Sequence, residues 1–437
     1  MGEAVATTRQ GVSFNDAVIT IVINATGCAI VLFPKIMADV GIVVAPILCA
    51  TCALTCLECG IMICGACTIA EKSLGAERIN TYEALAEAIS GTRGKRFLTV
   101  TKNSVFMGTL IAYIQLSVDS MASFIPGGSE DSRVLFLLRY AVILPIFSFL
   151  AMLTDLQQLA KFSTVGIIAV IVECGCIMVG GVYLGMYTPC DAEVGGCIKY
   201  DVLPDKPLGE MPGVFGKYLA VFLFSYAILA TVPVLRSQLA EPEQMHPILS
   251  RAFLILGFLY CTVMGLGYMG FGSDAPDNVI QGLAVHFPVV GLLASGAILI
   301  NIVISAPLTI FCIVTAFEAS GESAVHTPLS MPNVLFRIGL IILACVIGAI
   351  LPYITEIIGV VASLFACCNN ILFPMTFHYV GRQQASVQPL NPAWRRVKYF
   401  SALTVGLIVL VFGFSGSVMA LMAKLQEDSK LNDVVTA

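Results

Sequence analysis

Residues 14–38 read FNDAVITIVINATGCAIVLFPKIMA. This apolar run is long enough to cross a bilayer, which takes about 20 residues. Yet Asn24-Ala25-Thr26-Gly27-Cys28 interrupts it near the middle, and Pro34 closes it. A second run, 214–240, is interrupted in the same way at Ser225-Tyr226-Ala227 and Thr231-Val232-Pro233. An unwound helix inside hydrocarbon frees N–H and C=O groups that lipid cannot satisfy, so it is tolerated only where it lines a cavity or holds a ligand. Freed N–H groups at the start of a half-helix suit a carboxylate. Freed carbonyls at the end of one suit an ammonium group or a metal cation. One site offering both is shaped for a zwitterion. The plain alternative at either break alone is a Gly or Pro kink, common in membrane helices.

The rest of the chain fits a membrane setting. Of 437 residues, 58% are hydrophobic and 12% charged, about half the charge of a soluble domain. Mean hydropathy is +0.91. A soluble globule cannot bury that much apolar surface. The composition also excludes a disordered chain, a coiled coil and a collagen-like fibre, leaving a polytopic helical membrane protein. A net charge of −5 names no partner, and no basic tail or stripe suggests nucleic acid.

Apolar runs place eleven spans near 14–38, 41–69, 97–125, 134–154, 160–185, 214–240, 249–272, 284–317, 333–352, 354–379 and 397–423. Lys72, Arg78, Arg93, Lys95, Arg96, Lys161, Arg236, Arg251, Arg337, Arg382, Arg395, Arg396 and Lys398 then share the side of the N-terminus, outnumbering those opposite. The positive-inside rule makes that side cytoplasmic. Between spans 2 and 3, Leu74, Ile79, Tyr82, Leu85 and Ile89 recur at helical spacing. They predict a short amphipathic helix along the cytoplasmic surface.

Several segments carry a family resemblance. Gly27-Cys28-Ala29-Ile30-Val31-Leu32-Phe33-Pro34, followed by Gly41-Ile42, resembles the first-span signature of the amino acid/auxin permease family, with Ala29 where that family usually has a second Gly. Thr81-Tyr82-Glu83-Ala84-Leu85 resembles its loop between spans 2 and 3, and Leu144-Pro145-Ile146 its span 4. Phe222 to Leu235 resembles its broken span 6, Gly267 to Gly272 its end of span 7, and Arg337 to Pro374 its spans 9 and 10. The family lies within the amino acid-polyamine-organocation superfamily. The resemblance implies an all-α membrane protein of eleven transmembrane helices with a leucine-transporter-type 5+5 inverted repeat and broken helices 1 and 6. It implies a cytoplasmic segment 1–13, a transporter core 14–379 with repeats at about 14–185 and 214–379, an eleventh helix 397–423 and a tail 424–437. It also implies secondary transport of amino acids or related small molecules, at the plasma membrane or a vacuolar or other endomembrane.

On that analogy Thr26, Gly27, Cys28 and Ala29 would hold the substrate carboxylate, and Phe224, Ser225 and Tyr226 would supply carbonyls and pocket walls. Tyr113 of span 3 would cover the substrate, and Ser305 or Thr309 of span 8 would face span 1. Charge inside a bilayer is costly, so Glu58, Asp119 and Glu173, each within an apolar run, are candidate proton carriers. Sodium coupling would instead use span 1 carbonyls with span 8 hydroxyls, and downhill facilitation stays open.

Other signals are read as decoys. Cys49, Cys52, Cys56 and Cys59 form CxxC…CxxC, but ten residues of helix rise about 15 Å, too far for one tetrahedral ion. They read as packing, and no metal or other cofactor is expected. Cys190 and Cys197 in the outer loop are a candidate disulfide. Gly265 to Gly270 matches GxGxxG inside an apolar span, without the strand–turn–helix context of a dinucleotide site. The histidines His246, His286, His326 and His378 scatter over span ends and loops, and Glu243 with His246 reads as a solvated loop. No catalytic grouping suggests an enzyme. A secondary transporter is therefore the main reading, with a channel or a non-transporting nutrient sensor as the other classes.

Overall fold

The computed structural model describes residues 13–76, 78–129, 131–153, 163–187, 198–204, 207, 209–318, 330–351, 353–386 and 393–436. Cys190 and Cys197 lie outside the described residues. Among those described the regular elements are helical, and 10 helices are long and apolar enough to cross a membrane, or 11 if one bent pair counts as a span. The chain is a multi-pass membrane protein.

The bent pair is span 1. Helix α1 (Phe14–Ala25) opens on Ser13, whose hydroxyl accepts the Asp16 N–H, and stops at Thr26. A 3₁₀ turn (Cys28–Leu32) leads into α2 (Phe33–Val40), and the chain turns through 57°. Gly41 then reverses direction at φ +84°, a conformation open to glycine. A Cβ there would meet the Val202 carbonyl oxygen at 2.7 Å, because the outer segment 198–203 lies across this corner. That segment bonds to it through Ile42 N–H to Asp201 O at 3.0 Å.

Helix α3 (Val44–Ser73) is span 2. Its cysteine stripe is a packing face: Cys49, Cys52, Cys56 and Cys59 are fully buried, and Cys52 donates to Leu219 O of span 6 at 3.3 Å. Helix α4 (Tyr82–Ala122) corrects one expectation. The predicted surface helix is the first part of this element, joined to span 3 through a kink at Gly91 (φ +67°) with no loop between. Its apolar face meets protein rather than lipid. Tyr82, Leu85, Ala86 and Ile89 are buried, and the Tyr82 hydroxyl donates to Asn369 O at 2.9 Å.

Spans 4 and 5 are α5 (Ser132–Leu150) and α6 (Ser163–Tyr187). Span 6 comprises α7 (Met211–Ser225), a 3₁₀ turn (Leu229–Thr231) and α8 (Val232–Gln238). Span 7 is α9 (Met245–Phe271). The expected span 284–317 is split: α10 (Val279–His286) ends at Phe287, and α11 (Pro288–Glu318) forms the crossing and continues through Pro307. Helices α12 (Met331–Ile350), α13 (Ile354–Gln384) and α14 (Arg396–Gln426) complete the bundle. In α13 the stretches Ala362–Ala366 and Cys368–Leu372 are π-helical, a form often found at functional positions.

Candidate functional site

At the first break Thr26 ends α1 by itself, its hydroxyl donating back to Val22 O at 2.7 Å. Gly27 is extended (φ −109°, ψ −159°). The nearest atom to a Cβ built on it is Ala25 O at 4.0 Å, so there is open space beside it. The N–H groups of Cys28 and Ala29 begin a new helical turn, where the first donors have no partner within the turn. At the second break α7 ends at Ser225. The Tyr226 carbonyl is taken by the Ile228 N–H at 2.8 Å, and α8 starts with Pro233 in its first turn.

The two breaks meet at one atom. The Tyr260 hydroxyl, from the middle of α9, lies 2.7 Å from Ala25 O and 3.1 Å from Ser225 O. These are the terminal carbonyls of α1 and α7, which a continuous helix would spend on the next turn. A phenol has one proton, so it goes to the nearer carbonyl and is shared with the farther. Aromatic rings fix this position. Tyr260 is edge-on to Phe33 at 4.8 Å and tilted against Tyr226 at 5.2 Å, and Tyr226 stacks on Phe253 at 5.5 Å. The Tyr226 hydroxyl reaches Cys49 Sγ at 3.4 Å. The side of the breaks facing spans 2 and 7 is thus packed with aromatics.

The opposite side of break 6 is mixed, apolar from Val105, Phe106 and three alanines and polar from Lys102, Asn369 and Asn370. A cavity of about 20 Å³ is bounded by Lys102 and Phe106 of α4, Ala227 and Ala230 of the break, and Asn369 and Asn370 of α13. That is room for about one water. Asn370 Nδ2 donates to Leu223 O at 3.1 Å, Thr101 donates to Asn369 Oδ1 at 3.0 Å, and Lys102 is paired with Glu83.

The remaining sequence-predicted residues are dispersed. Thr26, Phe224 and Ser225 are buried at the breaks, and Tyr113 is buried in α4. Ser305 and Thr309 use their hydroxyls within α11, toward Asn301 Oδ1 at 3.5 Å and Ser305 O at 3.4 Å. Glu58 is paired with Lys398 of α14 and a quarter exposed, so it is not an isolated buried carboxylate. Asp119 accepts from Gln115 at 3.1 Å, and Gln115 in turn accepts from the buried Arg139 at 2.6 Å. Glu173 differs from both: it is 1% exposed, and among the described residues neither carboxylate oxygen has a partner in hydrogen-bond geometry, although Asn301 stands nearby.

Ion pairs close the two ends. At the end of the bundle expected to be cytoplasmic, Arg236 of α8 forms a two-pronged pair with Glu71, both bonds 2.8 Å, and Glu71 also accepts the Ile79 N–H at 2.9 Å. On the outer side Lys217 reaches Glu356 at 3.0 Å, and Lys424 joins Glu356 at 3.3 Å and Asp277 at 2.6 Å. Burial pushes the Asp277 carboxyl up, but the Lys424 ammonium more than offsets this and leaves it below the usual carboxylate range.

Fold and site together define a polytopic helical membrane protein in which one hydroxyl, that of Tyr260, stands between the last carbonyls of α1 and α7. The chain belongs to the transmembrane amino acid transporter protein family, whose model matches residues 10–419. Among similar proteins, Amino acid transporter AVT1C of Arabidopsis thaliana is 24% identical over 304 residues, 68% of this chain and 52% of its own length. Amino acid transporter AVT3B of the same plant is 21% identical over 368 residues, 82% of this chain and 81% of its own. Amino acid permease 2, also from Arabidopsis thaliana, is 21% identical over 227 residues, 47% of this chain and 45% of its own. The chain spans about half the length of the first of these relatives.

Proposed function

We propose that the protein is a secondary active transporter of amino acids working by alternating access, built as two inverted five-helix repeats with breaks in spans 1 and 6. The observation that carries this reading is the Tyr260 hydroxyl shared by Ala25 O and Ser225 O. It joins the two breaks in one place, as a single zwitterion site requires. The substrate carboxylate lies on the N–H groups after Gly27, and its ammonium lies near the carbonyls that end α1 and α7. Family membership supports an amino acid as the solute, in line with the names of the relatives.

In this reading the driving ion is a proton and Glu173 carries it. A membrane-buried carboxyl without a counter-charge is a functional candidate by default, whereas Glu58 has Lys398 and Asp119 has the Gln115–Arg139 chain. The test is uptake of a panel of radiolabelled amino acids by proteoliposomes at two pH values, with and without sodium. Saturable uptake driven by an acid-outside gradient is expected. Glu173→Gln should lose at least about tenfold of gradient-driven uptake, the scale of a 1.4 kcal/mol effect, while keeping exchange between inside and outside substrate. Uptake indifferent to pH but dependent on sodium overturns the proton, and no uptake of any amino acid by folded protein overturns the transporter.

A further inference from the structure

A second, larger cavity lies away from the breaks, on the face that the charge distribution makes cytoplasmic. It measures about 450 Å³, within the usual range for small-molecule sites. Thr68 of α3, Arg236 of α8, His246 at the start of α9, and His378 and Arg382 of α13 converge on it, with Glu243 as the one carboxylate among the described residues of its lining. The solvated Glu243–His246 loop expected from sequence is therefore one wall of a pocket.

Two features fit this cavity to an anion. Two guanidinium groups from different helices border it, and guanidinium N–H groups are strong donors to phosphate oxygens. Arg236 is 5% exposed and held by Glu71 and Thr68, so it donates from a fixed position with the N–H groups that its bonds to them leave over. The cavity wall is also built to shape: the His378 ring lies against Gly65, where a Cβ would sit 3.1 Å from the imidazole. The volume exceeds that of a bare phosphate ion, and Ile69 and Pro242 give it an apolar side.

We propose that this cavity is a cytoplasmic binding site for a phosphate-bearing anion, held between Arg236, Arg382 and His246. The phosphate group comes from a soluble ester or from a lipid headgroup at the membrane surface. The site is independent of the transport reading, because its test reads binding alone.

Purified full-length protein is melted in detergent with inorganic phosphate or with chloride at matched ionic strength. It is also melted in nanodiscs of phosphatidylcholine with or without phosphatidylinositol phosphate. A rise in Tm with inorganic phosphate supports the site with a soluble ligand, and a rise only in the phosphoinositide discs supports it with a headgroup. In either case Arg382→Gln and His246→Ala should each weaken the probe's affinity by about tenfold, as expected for a lost charge-assisted bond. Arg382→Lys should retain part of it. Both variants are compared with the parent in chloride, so a folding defect shows as a lower baseline Tm and not as a lost shift. The proposal is overturned if neither probe moves the Tm of the parent protein, or if the shift persists unchanged in both variants.

Discussion

The two breaks are unequal. Span 1 turns through 57° where its ladder fails, whereas span 6 runs from Met211 to Gln238 as one crossing despite its own gap. The difference lies in what braces each half. Span 6 is tied along its length: Lys217 to Glu356 at the outer end, Leu219 O to Cys52, Leu223 O to Asn370, and Arg236 to Glu71 at the inner end. The inner half of span 1 is fixed by the Ser13 cap, by Arg251 over the Phe14 ring at 5.0 Å and by Tyr260 at Ala25 O. Helix direction at a gap is set by side chains on neighbouring helices, because the backbone ladder no longer sets it. Span 6 is thus braced from end to end by polar bonds, and the inner half of span 1 by its cap, one ring contact and one hydroxyl.

That contrast is open to direct attack. The largest effect is expected from Gly27→Leu. The space beside Gly27 admits a side chain, so the protein should melt normally yet lose uptake to background. Uptake surviving this change would remove the first break from the site. Next is Arg236→Ala, which strips the inner brace of span 6 and leaves Glu71 without its partner. Glu71 is partly exposed, so roughly 2–3 kcal/mol of stability should go, read by denaturant unfolding in detergent. Hydrogen exchange should also rise in residues 232–238 toward the level of residues 14–25. Equal exchange of the two segments in the parent protein would contradict the contrast itself.

Tyr260→Phe removes one hydroxyl and keeps the ring packing. A net hydrogen bond is worth about 1 kcal/mol, so a rise in substrate KM of up to about tenfold is expected. The rings around Phe33 and Tyr226 should hold Tm nearly constant. A fall in Tm with an unchanged KM would reduce Tyr260 to a packing residue. The smallest effect belongs to the outer end. Asp277 sits below the usual carboxylate range because of Lys424, so its contribution is present above its ordinary value near pH 4. The contribution is lost as pH falls through the lowered value. Asp277 is half exposed, so the loss is slight. The acid-side decline in Tm should be shallower in Asp277→Asn than in the parent.

Much of this was legible in the chain. Continuous apolar runs marked the crossings to within a few residues, since burying backbone in lipid demands uninterrupted helix over a fixed length. Gly27 stands where α1 gives way to a 3₁₀ turn, and Pro233 stands in the first turn of α8. The short surface helix expected over 73–93 begins only at Tyr82 and runs on into span 3. Its pattern says only that one face is apolar, and α13 covers that face instead of lipid. Phe287, where span 8 divides, stands directly before Pro288, which disfavours helix at the preceding residue, a mark that the long apolar run overrode. Tyr260 was missed because a lone tyrosine in a hydrophobic helix looks the same whether its hydroxyl packs or bridges.

The amino-acid sequence alone determined the solvent, the number of crossings to within one, and which backbone groups stand beside Gly and Pro in the apolar runs. Each of these depends on local composition and on residues a turn apart. Only the tertiary structure decided where those groups are spent. Ala25 and Ser225 are 200 positions apart and share a hydroxyl from a third helix. Glu71 meets Arg236 across 165 positions. Such meetings depend on how helices pack side by side, which no periodicity along the chain encodes.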